Sequence, residues 1–299
     1  MRRAAVALAA LCGHAAGAMA APAPDLAYGA YQRGLYVTAL REATARLERN
    51  PADAAAMTLL GELHNQGLGV APDPAKAAEW YRLAARHGDG HALYALGTMA
   101  VEGRGMARDP ARGRAWFEEA AGRGEPRAAY NLALLLLPSA APEDMLRAVE
   151  LLRRAADAEI AEAQHALGVL YLKGRGVTRD AAEAARLFER AARNGSLAGE
   201  VEHAILLFNG DGVPASEPLA AKAFRRAALK GNAIAQNRLA RLYVAGRGVP
   251  ANRTEAAAWH LMAAAQGLTD PWLDDALKDL PAEDRARAER LATERSATP

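Results

Sequence analysis

A row of helix-capping residues returns every 35 or 36 positions along this chain: Asp73, Asp109, Asp144, Asp180, Ser216 and Asn252. Each has a side-chain oxygen able to accept a bond from the free N–H groups at a helix start. Seven positions after each comes, in most cases, a large side chain (Trp80, Trp116, Leu151, Leu187, Ala223, Trp259). Eleven positions after each comes an alanine: Ala84, Ala120, Ala155, Ala191, Ala227 and Ala263. A fixed period of this length restricts the chain to a stack of like units, each burying its apolar face on its neighbours. Stacks of this kind present long surfaces suited to binding.

Residues 161–196 are the type unit, and two antiparallel helices account for it. In the first, Ala163, Leu167, Leu170 and Tyr171 fall at i, i+4, i+7 and i+8, one face of a 3.6-residue period. Gly168 extends that face, and its counterparts Gly61, Gly97, Ala133, Ala204 and Ala240 are all small, which predicts a close crossing of two helix backbones. The segment Gly174-Arg175-Gly176-Val177 then ends the first helix, since glycine accepts the positive φ of a helix terminus. Asp180 with Glu183, and Asn252 with Glu255, have the spacing of a capping box; Asp73-Pro74 and Asp109-Pro110 pair a cap with proline at the first helical position. Gly88, Gly124, Gly195, Gly231 and Gly267 close the second helices.

The recurring Ala-x3-Leu-Gly-x2-Tyr, the paired glycines (Gly67/Gly69, Gly103/Gly105, Gly174/Gly176, Gly210/Gly212, Gly246/Gly248) and the closing Ala-Ala-x2-Gly resemble the Sel-one-like repeat. That repeat is a solenoid branch of the tetratricopeptide superfamily. The resemblance covers 54–268, about 215 of 299 residues, as six units. It implies an all-α fold, a right-handed α/α solenoid of stacked antiparallel helix pairs. Residues 21–53 resemble a tetratricopeptide hairpin capping the amino end, and 269–299, with Asp270-Pro271-Trp272 and a charged segment from Pro281, read as C-terminal capping helices and tail. The third unit departs from the pattern. It carries Leu137-Pro138-Ser139-Ala140-Ala141-Pro142 for its turn and Glu159 for its closing glycine, so a different bend is expected there. In the fifth, His203 stands where the others carry leucine and is read as a half-buried, satisfied histidine.

At the amino end a basic head (Arg2, Arg3), an apolar middle (Ala4 to Leu11) and a small-residue end (Ala18-Met19-Ala20) read as a secretory signal over 1–20 cleaved near Ala20. The expected location is periplasmic or secreted, and the richness in alanine and arginine suggests a bacterial source. No later stretch has the length of a membrane helix. Cleavage would remove Cys12, the only cysteine, leaving no thiol for disulfide, zinc or nucleophilic chemistry. It would also remove Arg2 and Arg3 from the 37 basic residues, leaving 35 against 35 acidic, a balance with no general pull on nucleic acid.

The paired glycines follow helices and complete no phosphate-binding loop. Some cysteine-rich relatives in the resembled family are described as binding or hydrolysing β-lactams, but those cysteines are missing and no serine begins Ser-x-x-Lys, so that activity is not carried over. His87 and His91 have the spacing of a metal pair, yet Gly88-Asp89-Gly90 between them breaks the helix such a pair needs. No cofactor or metal is expected, and no enzyme activity. In the resembled family the first helices line the concave wall, leaving the positions between consensus residues free for a partner. From the third unit these are Leu134 and Leu137, Val169 and Leu172, Ile205 and Phe208, then Arg241 and Val244; the earlier units are more polar there, with Glu62, Asn65, Thr98 and Val101. They form either an apolar groove for a protein or peptide partner, in the cell envelope or at a host interface, or packing between neighbouring repeats. A second functional reading is cell-wall glycan or other carbohydrate binding, for which Tyr94 and Tyr130 stand at equivalent positions.

Overall fold

The computed structural model describes residues 25–297, so the signal read over 1–20 lies outside the described residues. Sixteen helices and no strand occur among them. A hairpin of α1 (Leu26–Gln32) and α2 (Tyr36–Arg49) leads into six helix pairs. These are α3 (Ala54–Gln66) with α4 (Pro74–Arg86), α5 (Gly90–Glu102) with α6 (Pro110–Gly122), and α7 (Pro126–Leu136) with α8 (Pro142–Asp157). Then come α9 (Ala161–Lys173) with α10 (Ala181–Arg193), α11 (Leu197–Asn209) with α12 (Glu217–Leu229), and α13 (Ala233–Ala245) with α14 (Arg253–Ala265). The chain ends in α15 (Pro271–Leu277) and α16 (Ala282–Ser296), the latter packed back on α14. Each helix packs mainly on its neighbours in sequence, which makes the molecule a helical repeat solenoid.

The period has a packing cause. All six alanines of the ladder are fully buried, because the helices meet there too closely for a larger side chain. At the small position of the first helix the nearest group is a ring of the second helix, and in the second unit the backbones also meet closely, a Cβ on Gly113 standing 2.9 Å from the Gly97 carbonyl oxygen. A Cβ on Gly61, Gly97 or Gly168 would stand 2.6, 2.5 or 2.7 Å from ring carbons of Tyr81, Phe117 or Phe188. The paired glycines divide their work. The first is the left-handed helix cap, as Gly103 at φ +74°; the second lets the turn lie against the start of the preceding unit's second helix. A Cβ on Gly105 or Gly248 would lie 2.3 Å from the carbonyl oxygen of Pro74 or Glu217.

Asp73, Asp109, Asp180 and Asn252 cap as expected, each accepting a backbone N–H three residues on, whereas Ser216 caps by position without a side-chain bond. Asp144 does not cap. Proline's fixed φ starts α8 at Pro142, with Ala141 at the cap position, and leaves Asp144 inside the first turn. The capping boxes are only half formed, because Glu183 turns to Arg186 and Glu255 accepts two 2.9 Å bonds from Arg295 of α16. At the end of the third unit Glu159 takes the left-handed conformation (φ +60°) that glycine takes elsewhere. Its carboxylate accepts bonds from Gln164 (2.8 Å), Arg190 (2.6 Å) and Asn194 (2.6 Å), tying the third unit to the fourth. The bonds from Asn194, Arg190 and Gln164 hold its pKa down to about 2.

Candidate functional site

Positions on the first helices that the repeat pattern leaves free converge at the end of the stack. On α11, Ile205 and Phe208 are half-buried; three and six positions along α13 from Ala235 stand Arg238 and Arg241. With Arg247 from the following turn and Trp272 from α15 they line a cleft of about 280 Å³, floored by buried Phe224 and Leu242. The structure therefore brings together Ile205, Phe208 and Arg241 of the predicted residues. Leu134 is exposed elsewhere, and Leu137 packs at the edge of the central core. Val169 and Leu172 are half-buried beside the cluster around Phe188, and Val244 lies against the last cluster without joining the cleft lining.

Two of the cleft's three cations are held in place. Arg241 donates from Nε at 2.6 Å and from Nη2 at 2.8 Å to the two oxygens of Asp270, and lies 5.0 Å from the centre of the Trp272 ring. Asn237 donates to the same carboxylate at 2.7 Å. Asp270 is buried, yet Arg241 first, with Asn237 assisting, holds its pKa well below the usual carboxylate range. The pairing in turn raises the Arg241 pKa. Arg247 donates to Glu217 at 2.9 and 2.6 Å and covers the Phe208 ring at 4.2 Å. Arg238 is exposed and has no hydrogen bond or ion pair among the described residues. Sequence reasoning missed Arg238, Arg247 and Trp272. The first had a readable signal, a second cation three residues before Arg241 on a helix face; the other two join only when the cap folds back.

A second, more polar cleft of about 460 Å³ lies at the central junction. Tyr94, Arg127, Tyr130, Asn131, Glu159 and Glu162 contribute to it, so the two tyrosines singled out by repeat equivalence do share a cavity. His203 is half-buried, and burial lowers its pKa; its ring makes no hydrogen bond among the described residues. His87 ends α4 while His91 lies in the first turn of α5, where Glu125, with Nδ1 3.8 Å from its carboxylate, raises the imidazole pKa.

The family model described as Sel1 repeat matches six times, at residues 54–89, 90–125, 126–159, 161–196, 198–232 and 233–268. No curated protein matches significantly. Among solved structures, a Sel1 repeat protein from Oxalobacter formigenes superimposes with a TM-score of 0.69 at 27% identity, covering 80% of this chain and 98% of that one. A protective antigen of uropathogenic Escherichia coli displaying an SLR fold gives 0.55 at 26% identity, over 87% of this chain and 64% of that one. The shortened third match, ending at Glu159, falls where the turn and closing glycine are replaced; the other five span 35 or 36 residues. With six consecutive matches from 54 to 268 and helix pairs on the same boundaries, the chain belongs to the Sel1 repeat family.

Proposed function

We propose that this chain is an exported, non-catalytic scaffold that docks a protein or peptide partner on its first-helix face, in the cell envelope or at a host interface. The observation carrying the reading is the cleft on α11, α13 and α15, where half-buried Phe208 and exposed Trp272 flank buried apolar side chains. Aromatic anchors in a partly enclosed site with fixed charges at the rim are the features from which docking surfaces draw their affinity. Rigidity helps, since a stacked solenoid loses little conformational freedom when a partner lands. No group of three or more potential metal-ligating side chains is clustered among the described residues, and no helix there is long and apolar enough to cross a membrane.

The test is capture of envelope proteins on immobilised 21–299, with a photoreactive residue beside position 208 to map what lands there. A protein retained by the wild type, cross-linked at the cleft, and lost with a folded Phe208→Glu variant is the expected result. Retention unchanged by that variant would move docking elsewhere on the surface. The second reading, carbohydrate binding, is supported by the central cleft, whose two tyrosines and several polar side chains suit stacking and hydrogen bonding to a sugar. It predicts retention of cell-wall glycan that Tyr130→Ala removes.

A further inference from the structure

The chemistry of the C-terminal cleft narrows its occupant. Three guanidiniums line it, but Asp270 neutralises Arg241 and Glu217 neutralises Arg247, so the uncompensated charge is the single one on Arg238. Polyanions such as nucleic acid are held by many unneutralised cations in a row, and this cleft has one. Position 238 is also unlike its equivalents, which are Leu59, Ala95, Asn131, Ala166 and Glu202: only the sixth unit places a cation there. Beside it lie Ile205, half-buried Phe208 and the exposed ring of Trp272. Arg241 and Arg247 are immobilised against those rings, which leaves their outward N–H groups oriented without further ordering.

We infer that the cleft recognises a peptide segment presenting one side-chain carboxylate, of an aspartate or a glutamate, next to a large apolar side chain. The carboxylate pairs with Arg238, whose planar fork suits two parallel N–H···O bonds, while the apolar group rests on Phe208, Ile205 and Trp272. This rests on the docking reading above and specifies its partner. One charge matched to one charge gives selectivity without attracting every anion, because a second acid on the ligand would face Asp270 and Glu217.

The probes are three fluorescein-labelled, amidated octapeptides of Gly and Ser with a central Asp-Phe, Asn-Phe or Asp-Gly pair, titrated against folded 21–299 by fluorescence anisotropy. The Asp-Phe peptide is expected to bind about tenfold tighter than Asn-Phe, the size of one charge-assisted pair, with Asp-Gly weaker again. Arg238→Ala should erase the Asp-over-Asn preference, and Arg287→Ala, removing an exposed cation of α16 outside the cleft, should keep it. Equal binding of Asp-Phe and Asn-Phe, or no binding of either up to about 1 mM, overturns the inference. So does a preference that survives Arg238→Ala. Capture of a partner in the preceding experiment, cross-linked at the cleft but indifferent to Arg238→Ala, would sink this inference while leaving the scaffold reading intact; loss of capture altogether would sink both.

Discussion

Two carboxylates each organise a junction of this solenoid, Glu159 between the third and fourth units and Asp270 between the sixth unit and the cap, and they do so from opposite environments. Each accepts bonds from an arginine and an amide of a neighbouring element. Glu159 is 58% exposed and holds a left-handed backbone, whereas Asp270 is 5% exposed and also caps α15 through the amides of Trp272 and Leu273. An exposed network can be traded for water at little loss. A buried carboxylate cannot, because once its arginine is removed it is left charged where water hardly reaches it. The repeat can therefore absorb an irregular turn at its middle, while at its C-terminal end the seating of α15 against α13 turns on one buried carboxylate.

Asp270→Ala should produce the largest effect, a loss of about 2–3 kcal/mol, below the full figure for a buried pair because Arg241 is itself 42% exposed. Urea unfolding measures it, and amide exchange should quicken first in α15, whose seating on α13 the pair holds. A loss spread evenly over all units would mean that the cap is not a separate locking element. At the other junction the backbone is the sensitive part. Glu159→Gly and Glu159→Ala lose the same three bonds, but only glycine suits φ +60°. The glycine variant should melt about 2–4 °C above the alanine variant. Equal melting temperatures would mean that the left-handed conformation carries no strain.

The difference between the junctions also explains what could be read in advance. Helix pairs follow from local chemistry repeated six times and paired-glycine turns from chemistry repeated five times, so Asp109 with Pro110 or Gly103 with Gly105 announces its role within a few residues. The third unit was readable only as an exception. Pro142 carries a local signal that takes Asp144 off the cap position, since proline favours the first helical position, but nothing local says that Glu159 would reach Arg190 thirty-one residues away. The cleft was legible in part for the same reason. Ile205, Phe208 and Arg241 sit on repeat positions that a period can index, while Trp272 and Asp270 belong to a cap with no period, which meets α13 only after the chain turns back. Likewise the ring over Gly168 comes from α10, and a small residue alone does not say whether a ring or a backbone fills the space beside it.

The smallest expected effect concerns acid and salt, and its sign follows from the direction of the two shifts. Both carboxylates have folded pKa values below their ordinary 4.5 and 3.8. The stability each contributes is therefore complete above the ordinary value and lost as pH falls through the folded one. For Glu159 that window runs from 4.5 down to about 2; for Asp270 it begins at 3.8 and extends lower. Comparing wild type with Glu159→Gln and with Asp270→Asn, both differences should shrink on acidification, the Glu159 difference beginning to shrink at higher pH. Salt separates them. Counter-ions reach the exposed Glu159 network, so at about 1 M salt its small difference should disappear at neutral pH, while most of the Asp270 difference persists because the carboxylate is shielded from the solution. If salt removed both equally, the Asp270–Arg241 pair would be behaving as a surface ion pair, and the contrast between the two junctions would have to rest on the capping of α15 instead.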